Sequence, residues 1–148
     1  MSGEFIDSNV FVYVFDETDT GRRLTATELV LRSLRDATGV ISYQVVQEVL
    51  NAITSKMERP VHHDDALRYF TSTLKPMWSV YPSDDLFTRA LGVRSRYGYG
   101  FYDSLIISAA IHGGCATLYS EDMQHDQLVD TVRIVNPFRE SGPNLPIR

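Results

Sequence analysis

Residues 1–15 read MSGEFIDSNVFVYVF, and the whole chain can be interpreted outward from them. The apolar pair at residues 5–6 is typical of the end of a buried strand, and the polar side chains of Asp7, Ser8 and Asn9 follow it directly. If this strand is central in a parallel sheet, its carboxyl end opens into the crevice where such sheets hold ligands. A carboxylate buried there needs a partner. Asp7 is equally well placed to cap a following helix, so its role stays open at this point.

The composition is that of a single globular domain. The chain has 148 residues, of which 43% are hydrophobic and 22% are charged, enough to bury a core without disulfides. We expect one domain over residues 1–139 and a flexible tail over residues 140–148. The single cysteine, Cys115, lies in an apolar segment and is predicted to be a buried core thiol in a reducing compartment. No leader peptide or apolar run of membrane-spanning length is visible, which predicts a cytoplasmic protein with no membrane partner.

The charge balance restricts how the protein could meet nucleic acid. A net charge of -5 and an isoelectric point near 5.3 argue against binding through the overall field of the molecule. Any contact with nucleic acid must therefore be local. Acidic residues gathered at one site would produce the same negative balance and would attract a cation.

Short apolar strands alternate with helices along the chain, which predicts a parallel sheet covered on both faces. The stretch VFVYVF is ambiguous, because its β-branched and aromatic residues favour a strand although a short buried helix is not excluded. Further strands are predicted at residues 39–42, 78–81, 115–120 and 131–135. Helices are predicted at residues 25–36, 43–57, 63–74 and 83–97 and from Asp103 onward. The expected apolar stripes include Leu24, Leu31 and Leu34 in the first helix and Leu86, Phe87, Ala90 and Leu91 in the fourth.

Acidic residues stand at four points along this pattern. Asp7 follows the first strand, Asp103 opens the last helix, the pair Glu121 and Asp122 follows the strand CATLYS, and Glu48 lies at the border of an apolar helix face. Each has an ordinary explanation, because the aspartates could cap helices and a border glutamate is usually solvated. In a parallel sheet, however, these positions can share one edge, where unneutralised carboxylates would raise one another's pKa. The cluster therefore predicts a hard divalent cation, Mg²⁺ or Mn²⁺.

The sequence does not fit several other kinds of phosphate chemistry. It has no Ser or Cys nucleophile placed with a His partner and no phosphate-binding G-x-x-x-x-G-K run. Neither Lys56 nor Lys75 follows a late strand, where a phosphoacceptor receiver domain needs its lysine, and D-S-N lacks the second Asp of an aspartate phosphatase loop. Metal-assisted hydrolysis of a phosphodiester remains, in which a cation activates water and neutralises developing charge.

Several segments, taken in order, resemble a known family. They are FIDSN, QEVLN, FYDSLI, LYSEDMQHDQ and a final VNPF, and they are similar to the PIN domain ribonucleases, in particular the VapC-type toxins of prokaryotic toxin–antitoxin pairs. The resemblance covers essentially the whole chain. It implies a three-layer α/β/α sandwich with a central, mostly parallel sheet of four to five strands, in which VFVYVF is a helix.

The resemblance also implies a function and a site. In that family four acids bind Mg²⁺ or Mn²⁺ for RNA cleavage, and the matching positions here are Asp7, Glu48, Asp103 and Asp122. Ser8 stands where Thr is commoner and keeps the hydroxyl. Possible additional site residues are Ser8, Asn9, Glu121 and Asp126, and which of the three acids after the fourth strand contacts metal is left open. The implied partners are an RNA substrate, a cognate antitoxin of the VapB type and a second copy of the chain in a homodimer.

A basic and aromatic stretch before Asp103 is the candidate RNA-binding segment. Positive charge at Arg89, Arg94 and Arg96 is followed there by aromatic side chains on which bases could stack, namely Tyr97, Tyr99, Phe101 and Tyr102. The same residues could equally be solvated arginines beside an aromatic core. Arg22 and Arg23 are weaker candidates.

The alternative to a nuclease is a non-catalytic PIN-like interaction module whose acids only cap helices. Another metal-dependent phosphate-handling domain is a further alternative. Metal binding by the purified protein would distinguish the first alternative from the nuclease.

Overall fold

A central sheet organises the molecule in the computed structural model, which describes residues 2–139. Its strands are β1 (Gly3–Ile6), β2 (Gly39–Ser42), β3 (Trp78–Val80), β4 (Cys115–Tyr119), β5 (Leu128–Val129) and β6 (Val132–Val135). They lie in the order β3-β2-β1-β4-β6-β5, and neighbours are parallel except for the antiparallel pair of β5 and β6. The expected mostly parallel sheet is therefore confirmed. The predicted tail, residues 140–148, lies outside the described residues.

Helices flank this sheet, as expected. They are α1 (Ser8–Tyr13), α2 (Thr20–Arg35), α3 (Tyr43–Asn51), α4 (His63–Tyr69), α5 (Lys75–Met77), α6 (Asp84–Tyr97) and α7 (Phe101–His112). Two π-helical turns, Ala52–Lys56 and Phe70–Leu74, continue α3 and α4. Over residues 2–139, no helix is both long enough and apolar enough to cross a membrane.

The sheet has six strands in the described residues, not four to five. The additional strand is β5, which has only two residues and turns back into β6 through Asp130, whose φ of 55° is left-handed. Alternation of apolar and polar residues needs a longer run to be recognised. A strand of this length therefore leaves no clear pattern in the sequence.

The stretch VFVYVF does not form the strand that its β propensity favours. Its first four residues belong to α1, which buries Val10 and Phe11 and packs against α2 and α3. The intrinsic β propensity of these residues does not decide their structure, because β1 ends at Ile6 and a helix begins directly after it. Asp7 caps this helix by accepting from the Ser8 amide at 2.7 Å. The helix implied by the family resemblance is the one observed.

Two helices bury only part of the apolar stripe that the sequence predicted, with Leu34, Leu86 and Ala90 turned to the core. Helix α2 begins at Thr20 instead of residue 25, because Asp19 caps it by accepting from the Arg22 amide at 3.1 Å. Its buried face is formed by Ala26, Leu29, Val30 and Ser33, whereas Leu24 and Leu31 are exposed. In α6, Leu86 and Ala90 are buried but Phe87 and Leu91 are exposed. Apolar residues at helical spacing thus lie on both sides of each helix, and only packing selects the core side.

Helix α7 is the most deeply buried helix and holds the core behind the sheet. Every residue from Ser104 to Ala110 is buried. Ser108 donates from its hydroxyl to the carbonyl of Leu86 at 2.8 Å, which ties α7 to α6. Cys115, at the start of β4, is 2% exposed, and burial raises the pKa of its thiol to about 12. The prediction of a buried core thiol is confirmed.

The packing of α1 can be tested with two phenylalanines that both lie on helices. Phe11 is 0% exposed and Phe87 is 43% exposed. We expect Phe11→Ala to lower the free energy of unfolding by about 3–5 kcal/mol, because it leaves a cavity in the core. Phe87→Ala should cost well under half as much. Chemical denaturation of both variants measures the two losses, and equal losses would contradict the burial of α1.

Candidate active site

The acids meet at the carboxyl edge of the two central strands. Ile6 of β1 is paired with Tyr119 of β4, and the amide of Asp7 donates to the Tyr119 carbonyl at 2.9 Å. The residues that follow the two strands therefore begin side by side. This is the edge at which parallel sheets bind ligands.

Asp7 is the buried member of the group, with 3% of its surface exposed. One carboxylate oxygen accepts from the Ser8 amide at 2.7 Å, and the other accepts from the Ser120 hydroxyl at 2.7 Å. Asp7 thus caps α1 and faces the site at once. Burial raises the pKa of its carboxyl to about 7, the hydrogen bonds from Ser120 and Ser8 lower it, and the charges of Glu48 and Asp122 raise it. Without a cation this carboxyl is partly protonated at neutral pH.

Glu48 is held at the same site by neighbouring donors. Its carboxylate accepts from the Ser8 hydroxyl at 3.0 Å and from the Gln44 amide group at 3.1 Å. Gln44 also donates to the carbonyl of Tyr102 at 3.3 Å, beside Asp103. Glu48 is half-buried, so the ordinary expectation of a solvated border glutamate is wrong for this residue.

Asp103 lies in the first turn of α7 and does not cap it. The cap residue is Gly100, which has no side chain to offer, so the capping explanation of Asp103 is wrong. Among residues 2–139, no group donates a hydrogen bond to its carboxylate. Its pKa is raised, first by burial and then by the charges of Asp122 and Glu48. In the described residues, the Asp103 carboxylate therefore lies near two other carboxylates and has no hydrogen-bond donor or positive side chain beside it.

Asp122 completes the group from the loop after β4. It accepts from the side-chain amide of Asn9 at 3.0 Å, and its own backbone amide donates to the Ser120 hydroxyl at 3.2 Å. Ser120 therefore links Asp122 to Asp7, as Ser8 links Asp7 to Glu48. The four acids Asp7, Glu48, Asp103 and Asp122 are called the acidic site below.

The other two acids after β4 have different surroundings. Glu121 accepts from the Tyr13 hydroxyl at 2.6 Å and from Arg22 at 2.8 Å, so its charge is already paired. Asp126 is exposed and lies 3.4 Å from Arg133. Neither residue contributes to the raised pKa of Asp7 or Asp103, whereas Asp122 contributes to both. The geometry therefore sets Asp122 apart from the other two.

The candidate RNA-binding residues contact other parts of the chain. Arg89 lies 3.7 Å from Asp130, and Arg94 donates to the Tyr99 carbonyl at 3.2 Å. Arg96 stacks over the ring of Tyr97, with 5.4 Å between guanidinium and ring centroid. The Tyr99 hydroxyl donates to Gln127 and accepts from the Gln124 amide, which joins the loop before α7 to the loop after β4. Tyr99 therefore holds two loops together, a structural role that was not predicted from the sequence.

Two neutral residues that donate hydrogen bonds to the acidic site were not predicted from the sequence. Ser120 lies directly before the acidic pair, at the end of a strand, and Gln44 lies one helical turn before Glu48. Both positions could have been noted, since a hydroxyl or amide that orients a carboxylate is expected beside it.

The acidic site fits a hard divalent cation by its chemistry. Within residues 2–139, no Lys or Arg side chain pairs with any of its four acids, and the side chains around them offer only oxygen or amide groups. In the same range, no three His, Cys, Asp or Glu side chains already converge as a metal cluster. Three of the acids instead accept hydrogen bonds from neutral side chains, namely those of Ser8, Asn9, Gln44 and Ser120. Uncompensated charge and the partnerless Asp103 are what Mg²⁺ or Mn²⁺ would satisfy.

A second cleft lies at the opposite, amino edge of the sheet and has a volume of about 240 Å³. Its polar groups are satisfied by one another: Glu4 accepts from Thr38 at 2.8 Å and pairs with Arg32 at 3.1 Å. The acid of this cleft therefore differs from those of the acidic site, because an arginine already compensates its charge.

Comparisons with known proteins agree with this fold. The PIN domain model matches residues 5–130, so the chain belongs to the PIN domain family. The VapC20 toxin of Mycobacterium tuberculosis, which cleaves the sarcin–ricin loop, has a similar structure, with a TM-score of 0.59 and 20% identity over 81% of this chain and 90% of that chain. A toxin–antitoxin complex from Klebsiella pneumoniae is also similar in structure. Its TM-score is 0.63 and its sequence identity is 18%, over 88% of this chain and 95% of that chain. No curated protein sequence matches the chain.

The buried Asp7 predicts how stability depends on pH in the absence of metal. Its pKa in the folded protein, about 7, is above the ordinary value of 3.8, so the folded state holds a proton that the unfolded state releases. This group therefore stabilises the fold at low pH, and its contribution is lost between about pH 4 and pH 7, at roughly 1.4 kcal/mol for each pH unit. Asp7→Asn cannot titrate. We expect the difference in unfolding free energy between variant and wild type to move in favour of the variant across this window, and a difference that is flat with pH would contradict the assignment.

Proposed function

We propose that this protein is a metal-dependent endoribonuclease that acts as the toxin of a toxin–antitoxin pair. The observation that carries the proposal is the acidic site, in which Asp7, Glu48, Asp103 and Asp122 come from separate segments to one edge of the sheet without a compensating positive side chain. Such an arrangement opposes folding unless it is used. Membership of the PIN domain family supports nuclease chemistry for it.

The four acids have different parts in this proposal. Asp7, Asp103 and Asp122 would hold Mg²⁺ or Mn²⁺, with Glu48 at the side of the site that Ser8 and Gln44 support. A bound cation would supply an activated water and neutralise the charge that develops on a phosphodiester. Asn9 donates to Asp122 and Ser120 donates to one oxygen of Asp7, so these neutral partners hold the two carboxylates at the site until a cation binds.

RNA is the proposed substrate because of the family and of the solved neighbours. The similar toxin VapC20 cleaves an RNA loop, and the low identity between the chains leaves the target of this protein open. A molecule with a net charge of -5 needs local positive charge to admit RNA. The exposed Arg94 and Arg96 at the end of α6, just before α7, are the proposed contacts, with Arg89, Tyr97 and Tyr99 supporting that segment.

Helix capping does not account for the acidic site, which weakens the alternative of a non-catalytic interaction module. Asp7 does cap α1. Glu48 lies in the body of α3, Asp103 lies in α7 behind the cap residue Gly100, and Asp122 lies in a loop. Capping therefore explains one of the four acids.

Substitution of Asp103 tests the nuclease directly. Asp103→Asn keeps the size of the side chain and removes one charge from a repelling group, so the metal-free fold should be as stable as wild type or more stable. Cleavage of a structured RNA in Mg²⁺ or Mn²⁺ should fall by orders of magnitude, and Glu48→Gln should behave alike.

The matched control for this test is Asp85→Asn, because Asp85 also lies in the first turn of a helix but is far from the acidic site in sequence and exposed. It should cleave at the wild-type rate. Circular dichroism and thermal melts of the same preparations establish that each variant is folded. A folded Asp103→Asn protein that cleaves within a few fold of wild type would falsify the site.

An antitoxin that covers the acidic site is the second prediction from this function. The Klebsiella pneumoniae neighbour is a toxin–antitoxin complex, which supports a protein partner of this kind. We expect an arginine of that partner to reach the carboxylates, since a guanidinium can satisfy them with two hydrogen bonds in place of metal. Co-expression with the product of the upstream gene should relieve growth arrest and yield a complex that Mg²⁺ alone does not stabilise further. Neither relief nor a complex would count against the toxin assignment.

A further inference from the structure

Exposed aromatic side chains lie along the same edge of the sheet as the acidic site. Away from this edge, the large hydrophobic side chains that remain exposed in the described residues are leucines on α2, α4, α6 and β5 and one phenylalanine, Phe87, on α6. At the carboxyl edge of the sheet they are tyrosines instead: Tyr43 is 42% exposed, Tyr81 is 56% exposed and Tyr102 is 68% exposed. A flat ring offers a stacking surface that a leucine does not.

The register of the sheet places two of these tyrosines next to the acidic site. Phe5 is level with Val40, so Asp7, two residues further, is level with Ser42, and Ser42 is paired with Val80. Tyr43 and Tyr81 each follow directly, at the ends of β2 and β3. Two strand spacings separate β1 from β3, which is about 10 Å. The two tyrosines therefore lie at the same carboxyl edge as the acids, on the side of β2 and β3.

These tyrosines form a cluster with Trp78. The rings of Trp78 and Tyr81 have centroids 4.9 Å apart and are inclined by 34°, and Tyr43 lies 6.0 Å from Trp78 at 42°. Tyr43, Trp78 and Tyr81 are called the aromatic cluster. Because neighbouring rings fix its members, the cluster presents preformed faces rather than mobile side chains.

A chain of contacts joins the aromatic cluster to the acidic site. Tyr43 is followed by Gln44, whose amide group donates both to the Glu48 carboxylate and to the Tyr102 carbonyl. Stacking surfaces therefore lie on both sides of the Gln44–Glu48 pair, with the cluster on one side and Tyr102, beside Asp103, on the other.

We propose that the aromatic cluster is a binding site for unpaired bases of an RNA strand whose phosphodiester lies at the acidic site. The proposal rests on the nuclease function proposed above and adds to it a base-binding site of this chain, at the ends of β2 and β3 beside the acids. Every base has a face that can stack on a tyrosine or tryptophan, so such a site accepts unpaired bases and excludes paired ones. Stacking on the uncharged cluster adds affinity for the bases to the charge that Arg94 and Arg96 offer the backbone, in a chain whose net charge is -5.

Trp78 makes the proposal measurable without any cleavage. It is the single tryptophan of the chain, so intrinsic tryptophan emission reports on the aromatic cluster alone. The experiment titrates short oligouridine into Asp103→Asn protein in Mg²⁺, with the duplex of oligouridine and oligoadenosine as the paired counterpart. We expect oligouridine to quench the emission of Trp78 and the duplex to leave it unchanged at the same concentrations.

Variants of the cluster provide the decisive comparison. Tyr81→Leu should raise the Kd for oligouridine roughly tenfold, because one stacking surface is lost. Tyr81→Phe keeps the ring and should bind like its parent, and so should Leu128→Ala, which changes an exposed residue at the opposite edge of the sheet. Tyr43→Leu provides a second cluster variant, and circular dichroism establishes that each protein is folded.

Three results would overturn the proposal. They are an absence of oligouridine binding, equal affinity of Tyr81→Leu and its parent, and emission that changes with protein concentration instead of RNA, which would assign the cluster to contact between two copies. Cleavage by the wild type is measured separately. An inactive wild type that still binds oligouridine through the cluster contradicts the nuclease alone, and an active wild type without this binding contradicts the cluster alone.

Discussion

The structure depends on how one buried carboxylate is satisfied at the end of the first strand. Asp7 joins three segments, because its oxygens accept from the first amide of α1 and from the hydroxyl that follows β4. These bonds compensate only part of the cost of burial, since the pKa of the carboxyl remains far above its ordinary value. A proton can neutralise it, and so can a cation. The fold therefore keeps a carboxyl in a place where its ionised form costs stability unless a positive charge is bound beside it.

Six arginines of residues 2–139 form ion pairs, all with acids outside the acidic site. Arg22 pairs with Asp19 and Glu121, Arg32 pairs with Glu4, and Arg133 pairs with Asp126. The pairing of Glu121 matters most for the site, because it anchors the loop after β4 against α1 and α2. Asp122, the next residue, then faces Asn9. Of the two adjacent acids, Glu121 is therefore paired with a positive charge and Asp122 is not.

Sequence reasoning could reach most of the fold and the acids, because both depend on local patterns. Strands that end in carboxylates are visible as such, and Glu48 is visible once a helix is assumed. The failures have physical causes. VFVYVF has strand propensity, but topology turns it into a helix after Asp7. Leu24 and Leu31 look like core residues because helical spacing does not say which face packs inward. Tyr43 and Tyr81 lie far apart in the chain and meet only through the register of β2 and β3.

The central claim is that the four acids form one metal site, and anomalous diffraction from crystals containing Mn²⁺ tests it most directly. We predict an anomalous peak at the carboxyl edge of β1 and β4, with oxygens of Asp7, Asp103 and Asp122 about 2.1 Å from it. The carboxylates, now held by Ser8, Asn9 and Ser120, should turn toward the peak. An empty edge at saturating Mn²⁺, or a peak held only by exposed acids such as Asp84 and Asp85, would contradict the account.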